Sequence, residues 1–280
     1  MRCAWECYMQ LLPHWMRQDV DNLGSKRLQE LRMRIGKKPE LILPDKTLCL
    51  GREISPDDIR FVINNASKFS PWAAASISKG YITAKGGHRI GICGIGVLSE
   101  DKLCRIKEPN AICMRVARDF ENISSSARDI SGSILIIGPP GSGKTTLLRD
   151  LIRQKSNAGP GSISVVDERE EIFPVYNGQA CFPSGERTDI LSGCSKSAGI
   201  EAVLRSMNPQ WIAVDEITAQ SDCEALLHAG WCGVNLMATA HAGSLTDLKT
   251  RPIYKTLIDY KLFSYVLILR RDKSWIMERM

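Results

Sequence analysis

The residues best suited to chemistry are Gly138-Pro139-Pro140-Gly141-Ser142-Gly143-Lys144-Thr145, with Thr146 following. They satisfy G-x-x-x-x-G-K-[ST] at each fixed position, a spacing that suits a polyphosphate. Several backbone N–H groups must aim inward, which needs residues that take positive φ and carry no Cβ. Lys144 is then expected to reach the β and γ phosphates of ATP, and the Thr145 hydroxyl to ligate Mg2+. A glycine-rich turn of purely structural use has the same composition, and the flanking pattern argues against it. Ile134 to Ile137 are four consecutive apolar residues, as in a buried parallel strand. Leu147, Leu148, Leu151 and Ile152 recur at helical intervals, so a helix starting at the loop adds the positive end of its dipole.

Three more polar groups close apolar runs. Asp215-Glu216 ends Gln210–Val214, where an aspartate can complete a Mg2+ shell and a glutamate can polarise the attacking water. Asp167-Glu168-Arg169-Glu170-Glu171 follows the strand pattern Ser162–Val166. Carboxylates at the carboxyl end of a parallel strand share an edge with a phosphate loop, which makes Asp167, Glu168 and Glu171 candidate catalytic groups; a surface charge cluster is the plainer alternative. His241 follows Val234–Ala240, either as a structural hydrogen-bonder or as a sensor of the γ-phosphate.

Strand, turn and helix alternate from residue 134 onward, which predicts a doubly wound α/β domain. Residues 1–125 read as a separate, smaller α+β domain. There the pattern predicts a helix pair around Pro13, a hairpin joining Leu28–Ile35 to Glu40–Leu43, and a helix opening at Ser55-Pro56-Asp57-Asp58. A second hairpin is expected from Gly80–Thr83 and Arg89–Cys93, with His88 and Arg89 in a solvated turn, then a strand at Ala111–Val116. The Ser- and Gly-rich stretch Asp119–Ser133 reads as a linker, with the boundary between residues 125 and 126. Pro183–Gly199 reads as a long loop, helices follow near 198–207 and 222–231, and Tyr265–Leu269 pairs with Trp275–Met277 in a final hairpin.

The chain of 280 residues has room for such a pair of domains, and its 44% hydrophobic and 24% charged residues are those of a soluble globular protein. No apolar run reaches the roughly 18 residues of a membrane span, and the N-terminus has no leader-like apolar segment. Membrane contact is therefore expected to be peripheral or through a partner. The net charge of +6 tolerates nucleic acid, yet no aromatic-plus-basic strip accompanies it, so nucleic acid is not the expected partner. The ten cysteines are scattered without C-x-x-C, which predicts mostly buried, reduced thiols rather than zinc ligands or disulfides.

The order of phosphate loop, acidic box, Leu204-Arg205-Ser206-Met207-Asn208-Pro209 before Asp215-Glu216, and Thr239-Ala240-His241-Ala242-Gly243-Ser244 resembles the type II/type IV secretion ATPases. That family adds an acidic box and a histidine box to the Walker pair, which implies catalytic roles for Asp167–Glu171 and His241. Its second acidic motif commonly ends Gly-Glu, where this chain has Asp215-Glu216. A narrower resemblance covers nearly the whole chain. Glu30–Gly36, Gly87-His88-Arg89-Ile90-Gly91, Gly185–Leu191, Arg205–Pro209 and Ala213–Ile217 are similar to the stage III sporulation AA family of endospore-forming bacteria, with Thr218 where glycine is expected. The resemblance implies a RecA-like P-loop ATPase, a homo-hexameric ring, membrane-embedded sporulation partners and a mother-cell cytoplasmic location. It also implies an arginine acting from the N-terminal domain or a neighbour, for which Arg89, Arg115 and Arg187 are candidates. A nucleic-acid-stimulated motor and a non-hydrolysing nucleotide-gated scaffold are the alternatives.

Overall fold

A computed structural model of the chain describes residues 1–67, 80–99 and 102–280. They fall into two compact units, Met1–Asp119 with Pro174–Phe182, and Phe120–Phe173 with Pro183–Met280.

The first unit carries helices α1 (Trp5–Leu11), α2 (His14–Arg27) and α3 (Pro56–Ser67). Its strands are β1 (Glu30–Arg34), β2 (Glu40–Ile42), β3 (Thr47–Cys49), β4 (Tyr81–Thr83), β5 (Arg89–Ser99) and β6 (Lys102–Arg115). They form one antiparallel sheet in the order β3-β2-β1-β6-β5-β4. The expected helix pair and both hairpins are there. Ser55 and Asp58 cap α3 reciprocally, the Asp58 amide donating to Ser55 Oγ and the Ser55 amide to Asp58 Oδ2. Leu31 and Met33 on β1, Ile90 on β5 and Met114 on β6 pack with Tyr8, Leu12 and Ile59 from the helices.

Two expectations fail in this unit. Strands β5 and β6 run well past Arg89–Cys93 and Ala111–Val116; their outer halves expose Ile95, Leu98 and Leu103, so burial imprints no clean alternation there, and the register shifts between Cys93 and Ile95. His88 is buried rather than solvated. Its Nε2 lies 2.9 Å from the Ala4 carbonyl, its Nδ1 accepts from the Ala117 amide at 3.1 Å, and its ring meets Tyr8 edge-on. Burial pushes its pKa down to about 4.

The second unit begins its sheet with β7 (Ile134–Ile137), then α4 (Lys144–Ala158) and β8 (Ile163–Asp167). The short hairpin β9 (Val175–Tyr176) and β10 (Gln179–Ala180) is part of the first unit. The chain continues through β11 (Thr188–Ser192), α5 (Lys196–Ser206), β12 (Trp211–Val214), α6 (Gln220–Trp231) and β13 (Asn235–Ala240). It ends with α7 (Leu245–Thr250), α8 (Lys255–Asp259), β14 (Tyr265–Leu269) and β15 (Trp275–Arg279). The seven-stranded sheet has the order β11-β8-β12-β13-β7-β14-β15, parallel except for β15. Every residue of β7 and β8 is buried, which is why β7 reads as an unbroken apolar run; in β8 the buried positions include Ser164 and Asp167.

Here the sequence misleads in three places. Pro183–Gly199 contains β11, an edge strand that Thr188, Asp189 and Ser192 disguise as loop. The Ser-rich stretch after Phe120 is tied to α4: the buried Asp150 carboxylate accepts from the Asn122 and Ser124 amides and the Ser124 hydroxyl, and Lys155 donates to the Arg128 and Ile130 carbonyls. The cysteines are not mostly buried: among the described residues only Cys223 is, and Cys49, Cys93, Cys104 and Cys232 are exposed. No described helix is long and apolar enough to cross a membrane.

Candidate functional site

The chemistry-bearing residues gather at the carboxyl ends of β7, β8, β12 and β13, where a doubly wound sheet offers its crevice. The loop from Gly138 to Lys144 leaves the buried strand β7 and opens α4. Pro139 and Pro140 have no N–H to offer, so inward donors start at Gly141. Gly141 and Gly143 stand at φ 71° and 101°, in the left-handed region. Gly138 is needed for space instead: a Cβ there would come within 2.7 Å of Ser142 Oγ and 2.9 Å of the Leu269 carbonyl. Ser142 is 2% exposed, and its Oγ has no hydrogen-bond partner among the described residues. A buried hydroxyl without a partner inside a loop of left-handed glycines fits a ligand rich in oxygen acceptors.

Lys144 is buried, and its three ammonium protons are all directed. They reach the Gly138 carbonyl at 3.0 Å, the Pro139 carbonyl at 3.1 Å and His241 Nδ1 at 3.0 Å. Since the ammonium has only donors, His241 must accept at Nδ1 and carry its proton on Nε2. That nitrogen faces Glu216 Oε1 at 2.9 Å. The other Glu216 oxygen pairs with Arg169 at 3.2 Å. A continuous chain of polar contacts thus runs Lys144–His241–Glu216–Arg169. Desolvation pulls the Lys144 pKa down, against the opposing charges of Asp215 and Glu216.

A second chain crosses beneath it. Thr145 Oγ1 donates to Asp215 Oδ2 at 2.7 Å, and Thr239 Oγ1 donates to Asp215 Oδ1. The Glu216 amide in turn donates to Thr239 Oγ1 at 2.8 Å. Thr239 therefore fixes both acidic residues, and Glu216 takes φ 45°, a turn that a non-glycine residue holds only with support. A hydroxyl and a carboxylate side by side are hard oxygen donors of the kind that hold Mg2+ while it keeps its waters and phosphate ligands.

The acidic box divides. Asp167 is buried and turns both oxygens onto backbone, accepting from the amides of Glu171 at 2.9 Å, Ile172 at 2.9 Å and Phe173 at 2.8 Å. Burial raises its pKa to about 6, with the charge of Asp215 adding to the rise and the amides opposing it. Glu168 pairs with the buried Lys196, which also lies 3.6 Å from Asp222. Glu171 lines a narrow cleft with Arg169, Asp215 and Glu216. Arg149, one turn into α4, grips the Glu171 and Ile172 carbonyls and so couples this turn to the phosphate loop.

The loop also borders a cavity of about 580 Å3, lined by Phe120, Ile123, Leu269 and Trp275 together with Gly141 and Thr146. Arg187 is not at this edge: it donates to the Ser156 and Gly159 carbonyls, at the opposite end of α4 from the loop. In the first unit Arg89 stacks over Tyr81 and Arg115 pairs with Glu30. Thr218 donates its amide to Asp222 Oδ2 at 3.0 Å, helping to cap α6. Thr239, Arg149 and Arg169 are the site residues that spacing alone does not single out. Thr239 had a signal, its place two residues before His241.

Comparison with known proteins adds descent to this geometry. The family model described as Sporulation stage III, protein AA matches residues 7–276. The chain belongs to that family. A member from Bacillus subtilis (strain 168), Stage III sporulation protein AA, is 32% identical over 278 residues, covering 95% of this chain and 91% of that one. Among solved structures, the Legionella pneumophila ATPase DotB is similar with a TM-score of 0.60 at 16% identity, over 96% of this chain and 80% of that one. The pilus retraction motor PilT with bound ADP gives 0.61 at 15% identity, over 93% and 79%. These likenesses show the fold, that of the RecA-like secretion ATPases.

Proposed function

We propose that this chain is a P-loop ATPase of secretion type that hydrolyses ATP to energise a membrane-embedded complex between mother cell and forespore during endospore formation. The observation that carries the reading is the convergence of Lys144, His241 and Glu216 in one contact chain over the Thr145–Asp215 pair. The loop amides from Gly141 onward hold the phosphates. Lys144 exchanges one of its present acceptors for a phosphate oxygen, and the buried Ser142 hydroxyl finds a partner in the ligand. Thr145 and Asp215 would hold Mg2+, which would supply charge neutralisation to the phosphates. Glu216, held between His241 and Arg169, accepts a hydrogen bond from the attacking water. The γ-phosphoryl group passes to that water, leaving ADP and inorganic phosphate.

His241 bridges Lys144 and Glu216, so a γ-phosphate that draws Lys144 away alters the histidine that orients the base. This supports a sensing role for His241. Asp167, with three amides on its oxygens, serves as the keystone of the 167–173 turn, and Glu168 and Glu171 line the same cleft. Residues 1–125 and 126–280 act as the moving and the hydrolysing domains, six copies assemble into a ring, and the protein works from the mother-cell cytoplasm. The native mass of the full chain with and without Mg-ATP tests the assembly: a nucleotide-dependent hexamer is expected, and a monomer under both conditions contradicts it.

A further inference from the structure

The hairpin of β14 and β15 brings a second lysine to the phosphate loop from far along the chain. Its turn is tightly built: the Arg270 amide donates to the Ser274 carbonyl, the Lys273 amide to the Arg270 carbonyl, and the Ser274 amide and hydroxyl both to Asp272 Oδ1. Lys273 itself stands at φ 72°, in the left-handed region of the turn. The ammonium donates to the Gly141 carbonyl, and Cδ lies 3.9 Å from where a Cβ on Gly143 would be. The hairpin cannot drift from the loop, because β14 pairs with β7 and Leu269 presses against Gly138.

Lys273 lines the apolar cavity together with Gly141, Ser142 and Thr146, whereas Lys144, His241 and Glu216 do not. Lys273 thus meets the loop at the Gly141 carbonyl, and Lys144 at the Gly138 and Pro139 carbonyls. With the Gly141 carbonyl its acceptor among the described residues, Lys273 has two ammonium protons to offer a phosphate at the cavity mouth.

We propose that Lys273 is a phosphate-contacting residue of this site, holding from the cavity the diphosphate shared by substrate and product. The proposal rests on the nucleotide reading given above. A contact to the shared diphosphate sets affinity for ADP as well as ATP, so Lys273 governs how long the product stays.

The test is the affinity of the full-length protein for ADP, measured by calorimetry at low and high salt, for the unaltered chain, Lys273→Met and Lys273→Arg. Methionine is expected to weaken ADP binding roughly 10-fold, the lower end for a hydrogen bond to a charged group. Arginine should recover most of that loss, and the salt dependence of ADP affinity should flatten in the methionine variant, as it would not for a lysine of purely structural use. ADP binding by Lys273→Met equal to that of the unaltered chain would overturn the proposal while leaving the nucleotide reading standing. Equal weakening by arginine and methionine would reduce Lys273 to a packing role. An unaltered chain that binds neither ADP nor ATP would remove both readings together.

Discussion

Thr239 is the residue on which the catalytic geometry turns, because one hydroxyl donates to Asp215 and accepts from the Glu216 amide. It is fully buried, so Thr239→Val keeps the shape and strips both contacts. A buried donor left without a partner costs about 1–3 kcal/mol. We expect at least a tenfold fall in phosphate release, together with a higher Mg2+ requirement in a metal titration; unchanged values for both would remove Thr239 from the site. His88 makes a different prediction, about stability. Its pKa near 4 lies below the value of about 6.5 for an unfolded chain. Between those values the unfolded state binds the extra proton, so stability from neutral His88 is present above pH 6.5 and is lost as pH falls toward 4. Between pH 7.5 and 5 the loss is about 2 kcal/mol. Urea unfolding at the two pH values should show it in the unaltered protein, and a smaller pH dependence in His88→Asn.

At the scale of elements, α4 is the axle of the second unit, with the phosphate loop at its start, Arg149 on the 167–173 turn, and Asp150 on the segment after Phe120. Asp150 is fully buried, bonded to Arg153 at 2.8 Å as well as to Asn122, Ser124 and Gln154. Asp150→Ala leaves Arg153 without its carboxylate and is expected to destabilise this unit by roughly 3–5 kcal/mol, read as a fall in the denaturation midpoint. That cluster also marks what sequence reading can reach. The loop, Asp215-Glu216 and His241 were legible because the chemistry demands those types just after buried parallel strands. Asp167 was legible as an acidic residue at a strand end, but not as one whose lone pairs face backbone amides, since the following turn decides that. Strand β11 was hidden because an edge position tolerates the polar Thr188, Asp189 and Ser192, of which Asp189 is exposed. Lys273 lies 132 residues from Gly141 and Arg169 lies 47 from Glu216, so only the folded sheet brings either to the site.

For the whole molecule, family membership and the fold of the secretion ATPases give the frame, and the residues at the sheet edge give a mechanism to test within it. A ring, a membrane-bound partner and a place in sporulation all require first that this site turn over ATP. The most direct measurement is the rate of phosphate release from Mg-ATP by the full chain, set beside Lys144→Ala and Glu216→Gln, with ADP binding measured on the same preparations. Release by the unaltered protein is expected to fall at least a hundredfold in both variants, with Glu216→Gln still binding ADP and Lys144→Ala binding it weakly, as the loss of a water-orienting base and of a phosphate clamp require. Release by Glu216→Gln at the rate of the unaltered protein would contradict the assignment of the site.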